Sequence, residues 1–344
     1  MLTSFTFHLR EFHTMSSVLR SIRRQLVQLW HENRPLTGVT LLMVGVLAVT
    51  SIGLIVDPRT IGGDPAWLKP AKFAVSTGIY SLTLAWLLTY LPDWPGTRRV
   101  VSLVTAVVFV LEVAIIVIQA TRGVTSHFNV GTPRDAVLFA VMGAAIGIQT
   151  VVSGQVAVAL WRQPFADRAL GTALRAAMVL TLLGAASAGL MTMPTAEQRA
   201  ALSTTHTMPR SGAHTVGAPD GGPGLAGTGW SRNHGDLRIP HFFGLHALQA
   251  LPLLALIVRR RRSQHEALQL VRVAATSYAA LFGILLVQAL RGESLIAPSG
   301  FTVALALAWA IGTTLATAAV RVRGVGSSTL STEPRADWRV SASR

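Results

Sequence analysis

The sequence predicts an all-α polytopic membrane protein, with eight transmembrane helices arranged as two tandem four-helix repeats about a pseudo-twofold axis along the membrane normal. Three observations predict this. Hydrophobic residues make up 51% of the 344 residues and charged residues only 13%, about half the charge that a water-facing surface ordinarily carries. The apolar residues fall in eight long blocks, and three short motifs of the first half recur in order in the second.

Before the first block, residues 15–30 place Leu19, Ile22, Leu26 and Trp30 at helical spacing, with Arg20, Arg23 and Arg24 on the other side. This is the pattern of an amphipathic helix lying on the membrane surface. Residues 1–36 hold no apolar core followed by a small-residue cleavage site, so they read as a cytoplasmic N-terminal segment, and Met15 offers an alternative start to Met1. The eight blocks are residues 37–56, 73–91, 100–119, 136–160, 170–191, 240–258, 267–290 and 301–320. At 1.5 Å per residue each can cross a hydrocarbon layer of about 30 Å. Between the fifth and sixth lies a long outer loop, residues 192–239, rich in Gly, Pro, Ser and Thr. Its Gly222, Gly224 and Gly227 match a dinucleotide-binding spacing, but no strand precedes them, so the match carries no chemistry. Residues 321–344 read as a disordered cytoplasmic tail.

Basic residues orient the chain. Lys and Arg number 30 against 15 Asp and Glu. With the N-terminus inside, 20 of those 30 fall on cytoplasmic segments, including the four consecutive arginines at 259–262. The excess is therefore topological, anchoring the chain to anionic headgroups, and nucleic acid is not an expected partner. The expected location is the plasma (inner) membrane with both termini cytoplasmic. The chain has no cysteine, which excludes disulfides, thiolate metal sites and cysteine nucleophiles.

The internal duplication divides the chain into repeats at 37–160 and 161–320. Ser51, Gly53, Leu54 and Pro58 recur as Ser187, Gly189, Leu190 and Pro194. Lys69, Lys72 and Phe73 recur as Arg238, His241 and Phe242, and Gln119, Ala120, Arg122 and Gly123 as Gln288, Ala289, Arg291 and Gly292. The last two sets share one gapless displacement of 169 residues. An even number of spans per copy makes the copies parallel, and parallel copies place a ligand site at or within their bundles. All three motifs sit at the outer ends of their helices.

Candidate ligand-binding residues follow from these motifs. On the sixth span Arg238, His241, His246 and Gln249 share an arc of about 140°. Four polar groups on one face of an apolar helix call for a partner or a water-lined cavity. On the third span Glu112 and Gln119 share a face, with Arg122 one turn beyond. An intramembrane carboxylate is costly, so Glu112 reads either as an ion-pair lock between helices or as a proton carrier or ligand contact. In the following loop, Thr132, Pro133 and Asp135 make an ordinary helix start. His127 lies outside that cap and is a candidate ligand or proton donor. Lys69, Lys72, Arg122, Arg238 and Arg291 stand at one level, with Gln288 beside Arg291, as a repeated cationic rim suited to phosphate, carboxylate or haem propionate.

The expected function is a multi-pass protein whose outward-facing cationic site binds, and as a transporter carries, an anionic or amphipathic small molecule, with membrane lipids as its other partners. The alternatives are a haem- or quinone-linked oxidoreductase or lipid-modifying enzyme, and a membrane assembly factor. No nucleophile motif, zinc-protease motif or paired acidic metal site assigns a catalytic residue. A bound haem would draw its ligands from His127 and His246.

Overall fold

The computed structural model describes Arg20 and residues 23–328. The expectations for the two start sites and for most of the tail fall outside these residues. Residues 23–32 form helix α1, which leads into α2 (Arg34–Val56). Then come a two-residue hairpin, β1 (Thr60–Ile61) and β2 (Asp64–Pro65), α3 (Leu68–Leu88), α4 (Pro95–Thr121), α5 (Pro133–Arg162) and α6 (Arg168–Thr192). The connection after α6 holds α7 (Ala196–Thr205) and a hairpin of β3 (Thr215–Val216) with β4 (Gly235–Asp236). The chain closes with α8 (Arg238–Val258), α9 (Gln264–Leu290) and α10 (Gly300–Ser328). Among the described residues eight helices are long and apolar enough to cross a membrane, so this is an all-helical, multi-pass membrane protein. Its exterior agrees: Leu41, Val44, Val49, Ile52 and Ile55 of α2 and Val107 of α4 are all exposed, which lipid rather than water tolerates as a continuous face.

The helices begin earlier than the apolar blocks because their starts are set by capping groups. Asn33 accepts the Leu36 N–H at 3.2 Å, Thr132 the Asp135 N–H at 3.2 Å, and Asp167 the Leu170 N–H at 2.9 Å, satisfying donors that lack a partner in the first turn. Helices α3 and α8, by contrast, start without a capping side chain, and they take in Lys69 and Lys72 in the first two turns of α3 and Arg238 at the start of α8. Helices α4 and α9 stop in the same way. Gly123 (φ 73°) and Gly292 (φ 74°) are left-handed, and the N–H groups of Val124 and Glu293 turn back onto the carbonyls of Gln119 and Gln288. A glycine is required there by backbone conformation.

Within the first four spanning helices, α2 packs on α3 and α4, α3 on α4, and α4 on α5. Among the last four, α6 packs on α8 and α9, α8 on α9, and α9 on α10. Helices α3 and α8 are both 21 residues long, and α4 and α9 both 27. The two groups meet chiefly through α5 against α6, with a smaller contact of α3 with α8. That junction is apolar and confined to one end of the bundle, where Leu87 and Leu88 of α3, Val156 and Leu160 of α5, Leu170 and Leu174 of α6, and Leu251 and Ala255 of α8 share one buried cluster. Toward the other end of the same helices the facing walls line a cavity.

Helices α6 and α8 cross with their backbones in close approach. A Cβ built on Gly244 would lie 2.6 Å from the Gly184 Cα and 3.0 Å from the Phe282 ring. Gly143 of α5 has nothing within 4 Å of the same position. Gly244→Ala is therefore expected to lower the thermal stability of the detergent-solubilised protein by about 1–3 kcal/mol, the usual cost of overpacking, whereas Gly143→Ala leaves it unchanged or slightly higher. Equal melting temperatures for the two variants would contradict the close crossing.

Candidate functional site

The cavity between the two helix groups measures about 1710 Å³. Its walls come from α3, α4, α5, α6 and α8, and its roof from the 122–132 loop and the long connection before α8. Small side chains keep it open: Ala140, Gly143 and Gly147 on α5 face Ala185, Ala186 and Gly189 on α6 across it. Most of the wall is aliphatic or aromatic, and polar groups gather toward the roof.

The roof is held by ion pairs and hydrogen bonds that the helix starts provide. Lys72 donates from Nζ to the Thr228 carbonyl at 3.0 Å, and Arg238 to the Gly229 carbonyl at 2.6 Å. In the same loop Asp220 accepts the backbone N–H groups of His214 and Thr215 and the Nδ1–H of His214 at 3.0 Å, with Arg210 at 3.4 Å. Burial tends to raise the Asp220 pKa, but the hydrogen bond from His214 and those two N–H groups hold it well below the usual carboxylate range. Burial pushes His214 down despite the opposing bond to Asp220, and pushes His127 well below the usual imidazole value. Both imidazoles are thus neutral at pH 7, and His214 donates Nδ1–H to a carboxylate. Aromatic contacts surround them: Phe128 lies 4.8 Å from the His214 ring centroid, and Phe73 5.7 Å from that of His127.

Of the residues singled out from the sequence, Lys69, Lys72, Glu112, His127, Arg238, His241, His246 and Gln249 all line this cavity. Gln119, Arg122, Gln288 and Arg291 do not line it. Glu112 is 2% exposed; its Oε1 lies 3.5 Å from His127 Nε2 and its Oε2 has no hydrogen-bond partner. His241 donates Nδ1–H to the Gly184 carbonyl at 2.8 Å, tying α8 to α6 beside the glycine crossing. His246 contacts Gln249 Oε1 through Nδ1 at 3.1 Å, and Gln249 reaches Thr83 of α3 at 3.2 Å.

The cationic rim takes a different form from the one expected. Arg122 is paired with Asp135 at 2.5 Å and bonded to Gln119, Arg238 with Asp236 at 2.6 Å, and Arg291 with Glu293 at 2.5 Å. Gln288 donates to the Ser294 carbonyl at 2.7 Å. Arg238 and Arg291 are neutralised by acids two residues away in sequence, and Arg122 by Asp135 in the first turn of the next helix. Asp135 is more than a capping residue, since it also takes Gln119 at 2.9 Å and the Thr132 hydroxyl at 2.7 Å. Among the described residues Lys69 makes no ion pair, and its Nζ lies 6.0 Å from the Phe73 ring centroid. Sequence reasoning passed over His214, Asp220, Tyr80 and Gln149. The first two sit in a Gly- and Pro-rich loop whose local pattern gives no structural signal, and the others are single polar residues in apolar helices. No group of three or more His, Asp or Glu side chains able to hold a metal ion occurs among the described residues.

The Asp220 bonds exist while the carboxylate is ionised. Because its folded-state pKa is depressed, their contribution is present above the unfolded carboxylate value near 3.8 and is lost as pH falls through the folded value. Asp220→Asn is expected to raise amide hydrogen exchange across residues 210–220 at pH 7 by about tenfold or more, from the loss of charge-assisted bonds of roughly 1.5–3 kcal/mol. Unchanged exchange would show that the roof does not depend on this anchor.

No family model matches the chain, and neither the curated proteins nor the solved structures contain a match to it.

Proposed function

We propose that this membrane protein binds an amphipathic anion in the cavity between its two helix groups. The observation that carries the reading is the placement of Lys69, which makes no ion pair among the described residues, on a largely apolar cavity whose Glu112 is its nearest acidic influence, while Arg122, Arg238 and Arg291 are each ion-paired. An apolar chain or ring fills the wall between α5 and α6, and its anionic group meets Lys69, with Lys72 beside it. Burying an anion in such a site needs a fixed counter-charge, which Lys69 supplies. Glu112, with its unpartnered Oε2, supports a role in taking up or holding a proton as the ligand binds. The cluster around Leu88, Leu160, Leu170 and Leu251 closes the far end, so carriage across the membrane requires that cluster to part.

Two further parts of the proposal concern architecture. The equal lengths of α3 and α8 and of α4 and α9, the matching glycine stops and the like pattern of neighbours support a duplicated four-helix unit. The cavity then lies at the junction of the two copies. The basic residues at 98–99, 162, 168, 175 and 259–262 all belong to the end opposite the long connection, which supports a cytoplasmic position for that end in the inner membrane, with the cavity roof outside.

Titrating the nanodisc-embedded protein with a dansylated fatty acid, read by its fluorescence, is expected to give saturable binding. Lys69→Gln should weaken it by about tenfold or more, the worth of one charge-assisted contact, and Lys69→Arg should restore most of it. Equal affinity in the Gln variant would remove Lys69 from the site. A reporter fusion at Gly222 is expected to be active as alkaline phosphatase and one at Ser263 as green fluorescent protein; the reverse pattern would invert the orientation.

A further inference from the structure

Two histidines of the cavity, one on the long connection and one on α8, share a feature that the binding of a simple anion does not use. His214 donates its Nδ1–H to the Asp220 carboxylate, and His241 donates its own to the Gly184 carbonyl. Neither acceptor can donate back, so the protons are fixed on Nδ1 and each Nε2 carries a lone pair. Neither Nε2 has a hydrogen-bond partner among the described residues, and both histidines line the cavity. An imidazole whose Nδ1–H is held by a carboxylate or a backbone carbonyl, with Nε2 left open, is oriented as a metal ligand. His127 differs, because its Nε2 faces Glu112; His246 shares the arrangement through Gln249 Oε1, but its ring packs on Phe242 with centroids 4.0 Å apart.

Among the described residues no third ligating side chain joins these two. A bare transition-metal ion held by protein alone needs three or four ligands, so it does not fit. A metal that arrives with its equatorial positions already filled needs only one or two imidazoles. The walls suit such a group, since a flat macrocycle is apolar on both faces and the space is about 1710 Å³. So does Lys69, for carboxylates at its edge. We propose that the amphipathic anion is an iron porphyrin, with His214 and His241 as its axial nitrogen donors. This rests on the binding reading above and narrows its ligand.

The test uses the full chain in nanodiscs, purified without a histidine tag, with haemin as the probe and empty nanodiscs as the blank. Saturable 1:1 binding is expected, with a shifted Soret band and a low-spin signal in electron paramagnetic resonance. His214→Ala and His241→Ala should each weaken binding at least tenfold or convert the signal to high-spin, while His265→Ala, outside the cavity, leaves both unchanged. The resonance spectrum of the unsubstituted protein reads imidazole ligation directly, so the proposal stays testable if a variant fails to fold. A high-spin signal in that protein, or a spectrum indifferent to both substitutions in folded variants, would overturn the ligand assignment. Saturable dansyl fatty acid binding with only blank-level haemin binding would sink the porphyrin and leave the anion site standing. Failure of both probes would sink both.

Discussion

The two helix groups are joined firmly at only one end, and the rest of the molecule follows from that. At that end leucines and alanines of α3, α5, α6 and α8 interlock in one buried cluster. In a bilayer, helix association depends on close packing, because lipid tails are as apolar as the side chains they would replace. Small residues such as Ala159, Ala173, Ala177 and Ala255 allow that approach. Toward the roof the small residues of α5 and α6 find no large partners across the gap. The same residue type that permits close contact at one end leaves open space at the other. Glycines 184 and 244 hold α6 on α8 within the second group, so the opening lies between the groups rather than inside one of them.

Charge is distributed in accordance with that opening. Inside a low-dielectric layer an unpaired ion is costly, and the arginines of the expected rim are each paired with an acid. Arg238 and Arg291 each meet an acid two residues away, and Arg122 meets Asp135 in the first turn of α5. These pairs fix the loops at the helix ends, and through Gly229 and Thr228 they and Lys72 hold the roof. Among the described residues Lys69 makes no ion pair, Glu112 Oε2 has no partner and His214 and His241 are bonded only through Nδ1, and all four residues border the cavity. Polar groups left unsatisfied by their own chain are the ones available to another molecule.

Much of the fold was legible in the sequence because its signals are local. Twenty-residue apolar blocks state the number of spans, Thr132, Pro133 and Asp135 state where α5 begins, and the Gln-Ala-x-Arg-Gly strings state where α4 and α9 stop. The structure gives those strings a plain role, as a glycine that ends the helix and an arginine that reaches a nearby carboxylate. The prominence of Arg122 and Arg291 in the sequence therefore reflected helix termination more than ligand contact. The expectation of a free cationic rim came from reading like charges together without the acids that fold against them.

By itself the sequence determined the spans, the caps, the segregation of basic residues and the polar face of the sixth span, since hydropathy, helical periodicity and capping act over a few residues. It could not assign partners. Only the tertiary structure decided that His127 meets Glu112, that His214 in a featureless loop comes over the same cavity as His241, and that Lys69 alone among the expected cations meets neither an acid nor a hydrogen-bond acceptor. Those distances depend on how separate helices cross and on where the 45-residue connection between α6 and α8 settles, and side-chain packing between distant segments sets both.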